Sequence, residues 1–244
     1  MKSTFVTCSL LALSLSLLRS TPAAAQDTKW NIEGSIGWDV GLSGDFLAAG
    51  IGSINNVPVV IQTQSFGAVY GTGIQWQIGA GYKLDEKSEV RGDFNYQRSG
   101  SNAVLIGKAG TSDLFGTFED YEVWSLEGGY RRYFEARDKL RPYVGVTAGI
   151  ADLPRISGVL AATGANLVGY ATDLYDGTAA FVFSFNGGVL YRVTDRADLE
   201  FQLALRHTSG LAQIDSLQDT SLAGINDRSA RWSMPIAIGI RYKF

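Results

Sequence analysis

From Trp30 onward, apolar and polar residues alternate with period two, the pattern of strands that present one apolar face. Trp30, Ile32, Ile36, Trp38 and Val40 share a face opposite Asn31, Glu33, Ser35 and Asp39. A second segment sets Ile74, Trp76, Ile78, Ala80, Tyr82 and Leu84 against Gln75, Gln77, Gly79, Gly81 and Lys83. A third sets Val90, Phe94 and Tyr96 against Arg91, Asp93, Asn95 and Gln97, and a fourth sets Trp124, Leu126 and Tyr130 against Ser125, Glu127, Gly129 and Arg131. The fifth, near Leu140 to Ile150, aligns Val144, Val146, Ala148 and Ile150. The sixth opposes Phe181, Phe183, Phe185, Val189 and Tyr191 to Ser184, Asn186, Gly188 and Arg192, and the seventh opposes Leu199, Phe201, Leu203 and Leu205 to Glu200, Gln202 and Arg206. The last is the most regular, with Trp232, Met234, Ile236, Ile238, Ile240, Tyr242 and Phe244 on one side.

Eight amphipathic strands are predicted, most about 10–14 residues long. Strands of soluble sheets average ~5–6 residues, whereas a tilted strand needs about 9–11 to cross the hydrocarbon layer. The connections alternate too. Asp85–Ser88, Glu135–Lys139 and Thr194–Ala197 are short polar turns, and the other connections run to about 20–30 residues. The fold predicted is all-β: a transmembrane antiparallel up-and-down β-barrel of eight strands. If the Val57-Pro-Val-Val-Ile61 run forms an extra hairpin, the count becomes ten.

A soluble ligand-binding barrel shares this periodicity with opposite sidedness, its apolar residues turned inward. The aromatic residues decide between them. Trp38, Trp76, Tyr96, Trp124 and Trp232 fall toward the long loops, and Trp30, Tyr82, Tyr130, Tyr191, Tyr242 and Phe244 toward the short turns. Two aromatic bands with aliphatic residues between them match two membrane interfaces.

Met1 to Gln26 read as a cleaved secretory signal, with Lys2, an apolar stretch from Phe5 to Leu18, and Ala23-Ala24-Ala25 before the cut. The barrel domain then occupies 27–244. Cleavage removes Cys8, Lys2 and Arg19, which leaves 19 basic against 24 acidic residues and no cysteine. An acidic balance argues against nucleic-acid binding. One His and one Cys exclude a Cys/His zinc centre. No cofactor and no metal are expected.

The C-terminal strand, Trp232-Ser-Met-Pro-Ile-Ala-Ile-Gly-Ile-Arg-Tyr-Lys-Phe244, with the alternation before it, resembles the OmpA/OmpX-type family of eight-stranded outer-membrane barrels. The resemblance covers Asp27 to Phe244 and implies location in the outer membrane of a Gram-negative cell. It also implies contact with outer-membrane lipid and lipopolysaccharide, and an assembly signal at Ile240, Tyr242 and Phe244 read by the barrel-assembly machinery. No peptidoglycan-binding domain is expected after the barrel, so tethering of the cell wall is not implied.

Closure of such a sheet turns the polar stripes inward, where charges survive only when paired. A network of Glu33, Glu127 and Glu200 with Arg91, Arg131, Arg206 and Arg241 is predicted, beside Asp39, Asp93, Lys83, Arg192 and Lys243. Eight strands leave room only for side chains, which favours a polar plug. Inward glycines (Gly79, Gly81, Gly129, Gly188, Gly239) offer space for water, and with it the alternative of a narrow porin-like channel for small or hydrophobic solutes, as in OmpW. Arg91-Gly92-Asp93 is an adhesion-like tripeptide, but its charged residues point inward.

His207-Thr208-Ser209 resembles the catalytic pair of the lipid A deacylase (PagL) family, in which a histidine activates a serine. That resemblance implies a surface enzyme, with Asp215 or Asp219 standing in for the acid. Gly210 departs from the family's oxyanion-binding Asn, and the last strand supplies no lipid-facing carboxylate. The more economical expectation is a non-enzymatic envelope protein. Its long loops, Leu42–Thr72 and Gly158–Gly177 among them, would extend the strands, form a hairpin or pack over the mouth, and could carry a surface ligand.

Overall fold

The computed structural model describes residues 29–135, 137, 139–163, 167–214, 221–222, 224–226 and 230–244. The predicted signal segment, Met1 to Gln26, lies outside the described residues. Eight long strands form a closed antiparallel barrel: β1 (Trp30–Ser43), β2 (Thr72–Lys83), β3 (Ser88–Ser99), β4 (Tyr121–Tyr133), β5 (Leu140–Leu153), β6 (Thr178–Arg192), β7 (Ala197–Thr208) and β8 (Arg231–Lys243). Each strand pairs with its sequence neighbours, and β8 closes on β1 with Ile32 opposite Tyr242 and Trp38 opposite Ile236.

Side-chain chemistry makes the short turns. Leu84 donates to the Ser88 carbonyl at 2.9 Å, while the Asp85 carboxylate accepts the Lys87 N–H at 2.6 Å. Between β6 and β7, the Thr194 hydroxyl oxygen accepts the Ala197 N–H at 3.0 Å. Both are side-chain mimics of a backbone turn, which Asp and Thr supply readily.

The opposite end is a second structure. Seven shorter strands form a separate sheet in the spatial order Ala212–Gln213, Leu167–Asp176, Ile156–Ala162, Ser112–Phe118, Val104–Ala109, Val57–Ile61, Gly50–Ile54. The Val57–Ile61 run therefore does form a hairpin, but within this cap and not within the barrel, which has eight strands. Its turn places Asn55 and Asn56 at φ 51° and 65°, a left-handed pair that suits a two-residue hairpin and that Asn tolerates. The outer edge of this sheet is covered. Ser53 donates its N–H to the Ser221 hydroxyl at 2.8 Å, and Ala48 donates to the Ile225 carbonyl at 2.8 Å. Covering an edge removes a pairing template for other chains.

The two parts have different interiors. Along β4 the inward residues run Tyr133, Arg131, Gly129, Glu127 and Ser125 from the short-turn end, then change to Val123 and Tyr121. β5 changes from Thr147 to Ala151 and Leu153, and β6 from Asn186 and Ser184 to Val182 and Ala180. Beyond that level the buried set is mainly apolar and centres on Phe46, with Phe66, Tyr70 and Phe118 edge-on at 5.5, 5.2 and 4.9 Å. A single helical turn, Phe66–Tyr70, carries two of these rings over the mouth, capped by Ser65, whose hydroxyl accepts the Ala68 N–H at 3.2 Å.

Strand contact is close enough to forbid side chains at specific points. A Cβ on Gly149 would lie 1.9 Å from the Leu126 carbonyl oxygen and 2.7 Å from the Glu127 Cα. Gly149→Val is expected to break the β4–β5 ladder. On denaturing gels the unheated protein should then lose the fast-migrating folded band; a normal band would refute the clash.

Candidate functional site

Two regions concentrate chemistry: the lumen and the cap. In the lumen the strands alternate strictly, so every second residue of each polar stripe converges on the axis. Nearest the short turns, Arg241 forms an ion pair with Glu89 and also donates to the Tyr133 hydroxyl. Glu89 further accepts from Tyr133 at 3.1 Å and from Asn31 at 2.9 Å.

The next layer centres on Arg131, which is fully buried. It pairs with Glu33 at 3.1 Å and Glu200 at 2.9 Å, and its guanidinium lies 4.0 Å from the Tyr143 ring centre. Glu33 also pairs with Arg91, whose Nε donates to Asp93 at 2.7 Å, and Tyr143 donates its hydroxyl to Glu200. The residues come from β1, β3, β4, β5 and β7, so this layer ties strands across the lumen and not merely neighbours.

Higher up, Arg206 pairs with Glu127 at 2.7 Å, and Glu127 also accepts from Ser125, Thr147 and Asn95. Arg231 and Asp39, 2.5 Å apart, finish the polar stack just beneath the cap. Arg231 also lies 5.0 Å from the Tyr121 ring centre. Between these layers, a void bounded by Gln75, Gln77, Arg91, Asn186, Gln202 and Arg206 measures about 20 Å³, room for roughly one water molecule.

The structure brings Glu33, Arg91, Asp93, Glu127, Arg131, Glu200, Arg206 and Arg241 together inside the barrel. Glu89 joins them as the partner of Arg241, and Arg231 as the partner of Asp39; both begin or extend strands beyond the alternation visible in sequence. Tyr133 and Tyr143 also turn inward as hydrogen-bonding members of the stack. Two expectations need correction. Arg192 lies beyond the lumen at the short-turn end and is exposed. The inward glycines are not water spaces. A Cβ on Gly79 would sit 2.1 Å from the Asp93 carboxylate, on Gly81 2.5 Å from the Glu89 carboxylate, and on Gly188 2.6 Å from the Tyr143 hydroxyl. Thr147 and Ser35 fill the space at Gly129 and Gly239. The large polar side chains take the volume the glycines release.

On the outside, the alternate residues are apolar and exposed: Ile36, Ile78, Leu126, Val146, Ile150, Phe185, Leu203 and Ile240 among them. Trp30 and Trp38 are 58% and 59% exposed, while Arg131 and Arg241 are almost wholly buried. A closed sheet that shows water its isoleucines and hides its arginines has the polarity of a protein dissolved in lipid. The chain is a closed eight-stranded antiparallel β-barrel with the polarity of a membrane-spanning protein. From Trp30 to Trp38 is eight residue steps and from Trp232 to Tyr242 is ten, which at a tilt of ~40° rise roughly 20–26 Å, the height of such a barrel's apolar band.

Trp76 and Trp124 lie in the same outer wall as Trp30 and Trp38, and Trp232 is half-buried against its neighbours. At the other end of β8, Ile240 and Phe244 are exposed, and the Tyr242 ring meets that of Phe244 edge-on at 5.4 Å.

His207 faces outward between two rings, stacked on Phe183 at 5.0 Å and edge-on to Trp232 at 4.8 Å. Ser209 continues the β6–β7 ladder: its N–H donates to the Phe181 carbonyl and its hydroxyl oxygen accepts the Phe181 N–H, both at 2.9 Å. Among the described residues no carboxylate bonds to His207. Asp215 and Asp219 lie outside them.

The cap is dry. Burial holds the Tyr70 hydroxyl well above the ordinary phenol range, with Tyr121 and Tyr175 adding to the effect, and that hydroxyl donates to the Glu119 carbonyl at 3.1 Å. Tyr175 donates likewise to the Phe46 carbonyl. The cap's outer surface is polar at its base, where Arg98 pairs with Asp120 at 2.7 Å and Glu122 at 3.0 Å.

No family model matches the chain. No curated protein matches it either. Among solved structures it is similar to Neisserial surface protein A, at 16% identity over 89% of this chain and 98% of that one, with a TM-score of 0.44. It is similar to Ail, the attachment invasion locus protein of Yersinia pestis, at 12% identity over 88% and 100%, TM-score 0.40. A third is the outer membrane protease OmpT from Escherichia coli, at 9% identity over 92% and 99%, TM-score 0.44.

Proposed function

We propose that this outer-membrane barrel is a non-conducting anchor whose work is done by the folded cap it holds above the membrane: a structural envelope protein that presents a rigid surface to partners. In this reading the short turns face the periplasm and the cap faces outward, as in other barrels with unequal loops. The single observation that carries it is the double closure of the lumen. The Arg131 layer blocks the axis within the membrane, and the apolar core around Phe46 blocks it again above. A conduit needs a continuous water path, and the ion-paired Arg131 layer and the apolar core around Phe46 both stand across it.

The cap supports the display role by its construction. Three hairpins and a covered edge make a sheet packed on one apolar core continuous with the loop ends of the barrel strands, which is far more order than a passive connection requires. Purified protein in a planar lipid bilayer is expected to give no stable single-channel openings. Reproducible unitary conductance in dilute potassium chloride would overturn the proposal and favour the narrow-channel alternative.

A further inference from the structure

The two rims of the barrel carry charge of opposite sign. At the short-turn end, residues 29, 83–87, 132–141, 192–198 and 243 include ten Lys or Arg and five Asp or Glu among those described. At the loop end, outside the lumen, residues 45, 98, 108–122 and 152–176 include three Lys or Arg and eight Asp or Glu among those described. Each of the three cations there already meets a carboxylate: Arg98 with Asp120, Lys108 with Asp113 and Arg155 with Asp173. The short-turn end is therefore the one with positive charge to spare.

That charge sits at the level where the hydrocarbon ends. The Lys29 ammonium lies 5.8 Å from the ring centre of Tyr82 and the Lys139 ammonium 6.0 Å from that of Tyr191, on the wall that touches lipid. The aromatic bodies mark the interface, and the lysine stems run along them with their charged heads toward water. Arg192 adjoins Lys139, its N–H donating to the Lys139 carbonyl at 2.9 Å, and is itself exposed. Arg132, also exposed, shares the Ser88 hydroxyl with Tyr130 at 2.7 and 3.0 Å. Among the described residues, no carboxylate lies within ion-pairing distance of Lys29, Lys139 or Arg192.

We propose that the short-turn rim is a binding surface for the phosphate headgroups of anionic glycerophospholipids, held by Lys29, Arg132, Lys139 and Arg192. The occupant follows from position and sign. A lipid whose tails lie against the outer wall has its phosphate at this height, and an anionic lipid surface attracts each nearby cation. The inference rests on the membrane orientation proposed above, but not on whether the barrel conducts.

The test uses the full chain folded in vesicles of phosphatidylcholine with a minor share of phosphatidylglycerol. Spin-labelled phosphatidylglycerol and phosphatidylcholine report the composition of the lipid shell. The parent is expected to enrich phosphatidylglycerol several-fold over phosphatidylcholine, and the enrichment should shrink as salt screens the rim. Replacing all four cations by Gln should abolish the preference while the heat-modifiable gel band persists. Lys139→Gln with Arg192→Gln should reduce it even if the fourfold variant does not fold. Lys108→Gln at the other rim should leave it intact. Equal enrichment of both lipids by the parent, or an undiminished preference in the double variant, would overturn the proposal. So would loss of the preference on adding inorganic phosphate at the lipid's own bulk concentration, since the rim would then be a site for the free anion. Loss of the folded band in the parent would instead refute the barrel reading.

Discussion

Arg131→Met is expected to cost the barrel about 3–5 kcal/mol, the penalty for removing one member of a buried ion-pair network. The side chain is fully buried between Glu33 and Glu200, and both carboxylates lose a counter-charge when it goes. Glu33 keeps Arg91, whereas among the described residues Glu200 keeps the Tyr143 hydroxyl as its hydrogen-bond partner, with Arg241 the next cation to act on it. Most of the loss is therefore the cost of a stranded Glu200 rather than the net worth of the pair. Adding Glu200→Gln to Arg131→Met should recover a large part of it, because a neutral amide is far cheaper to bury. Urea titration of the vesicle-embedded protein, read by tryptophan fluorescence and by gel migration, measures both variants. A loss below about 1 kcal/mol for Arg131→Met, or no recovery in the double variant, would show that water or another cation reaches Glu200.

Phe46→Ala is expected to unfold the cap and spare the barrel. The ring is completely buried and touches Phe66, Tyr70, Phe118 and Tyr175, so its removal leaves a cavity at the junction of four segments. A buried Phe→Ala costs about 3–5 kcal/mol. Here the loss falls mainly on the segments of the separate sheet: the cluster around Phe46 takes in Tyr121, Val123, Ala151, Leu153, Ala180 and Val182 from the loop ends of β4, β5 and β6, but none of the barrel's lumen ion pairs involves Phe46. Limited proteolysis should then cut within 45–71 and 101–120, while the eight strands stay protected and the unheated band still runs fast. Concerted loss of both cap and barrel protection would mean that the two cores fold as one unit.

The barrel was legible in the chain because a membrane barrel writes its geometry into parity. Ile236, Ile238 and Ile240 against Ala237, Gly239 and Arg241 need no tertiary information to be placed on opposite faces. The same parity located most of the lumen network. Glu89 and Tyr133 escaped it because each lies at a strand end, where a run of alternation is too short to recognise. Parity alone turns Arg192 inward, but it lies where the strand leaves the lumen. The glycines misled for a different reason. A missing side chain reads as empty space in sequence, yet in a closed lumen the volume at Gly81 or Gly188 goes to the carboxylate or phenol of an adjacent strand.

The cap was harder. Its strands are short, and the apolar runs of Val57–Ile61 and Val159–Ala162 do not declare which side they bury. One signal was available: Asn55-Asn56 between two apolar stretches is a two-residue hairpin turn, and the structure finds both residues left-handed. What no local pattern carries is the partner of each hairpin. Val59 pairs with Ala109, and Gly158 with Phe118, across separations that only the assembled barrel brings together.

Alternation, strand length and the spacing of aromatic residues were sufficient to define eight strands, their order and the face each turns to lipid. These are properties of residues two apart and of turns a few residues long, and both survive in a one-dimensional record. Which charges meet, where the inner stripe changes from arginine and glutamate to valine and tyrosine, and how four loops share one core were decided in three dimensions. Closure sets residues from distant strands against one another, and the energy of a buried ion pair or a packed ring depends on that meeting and not on either residue alone.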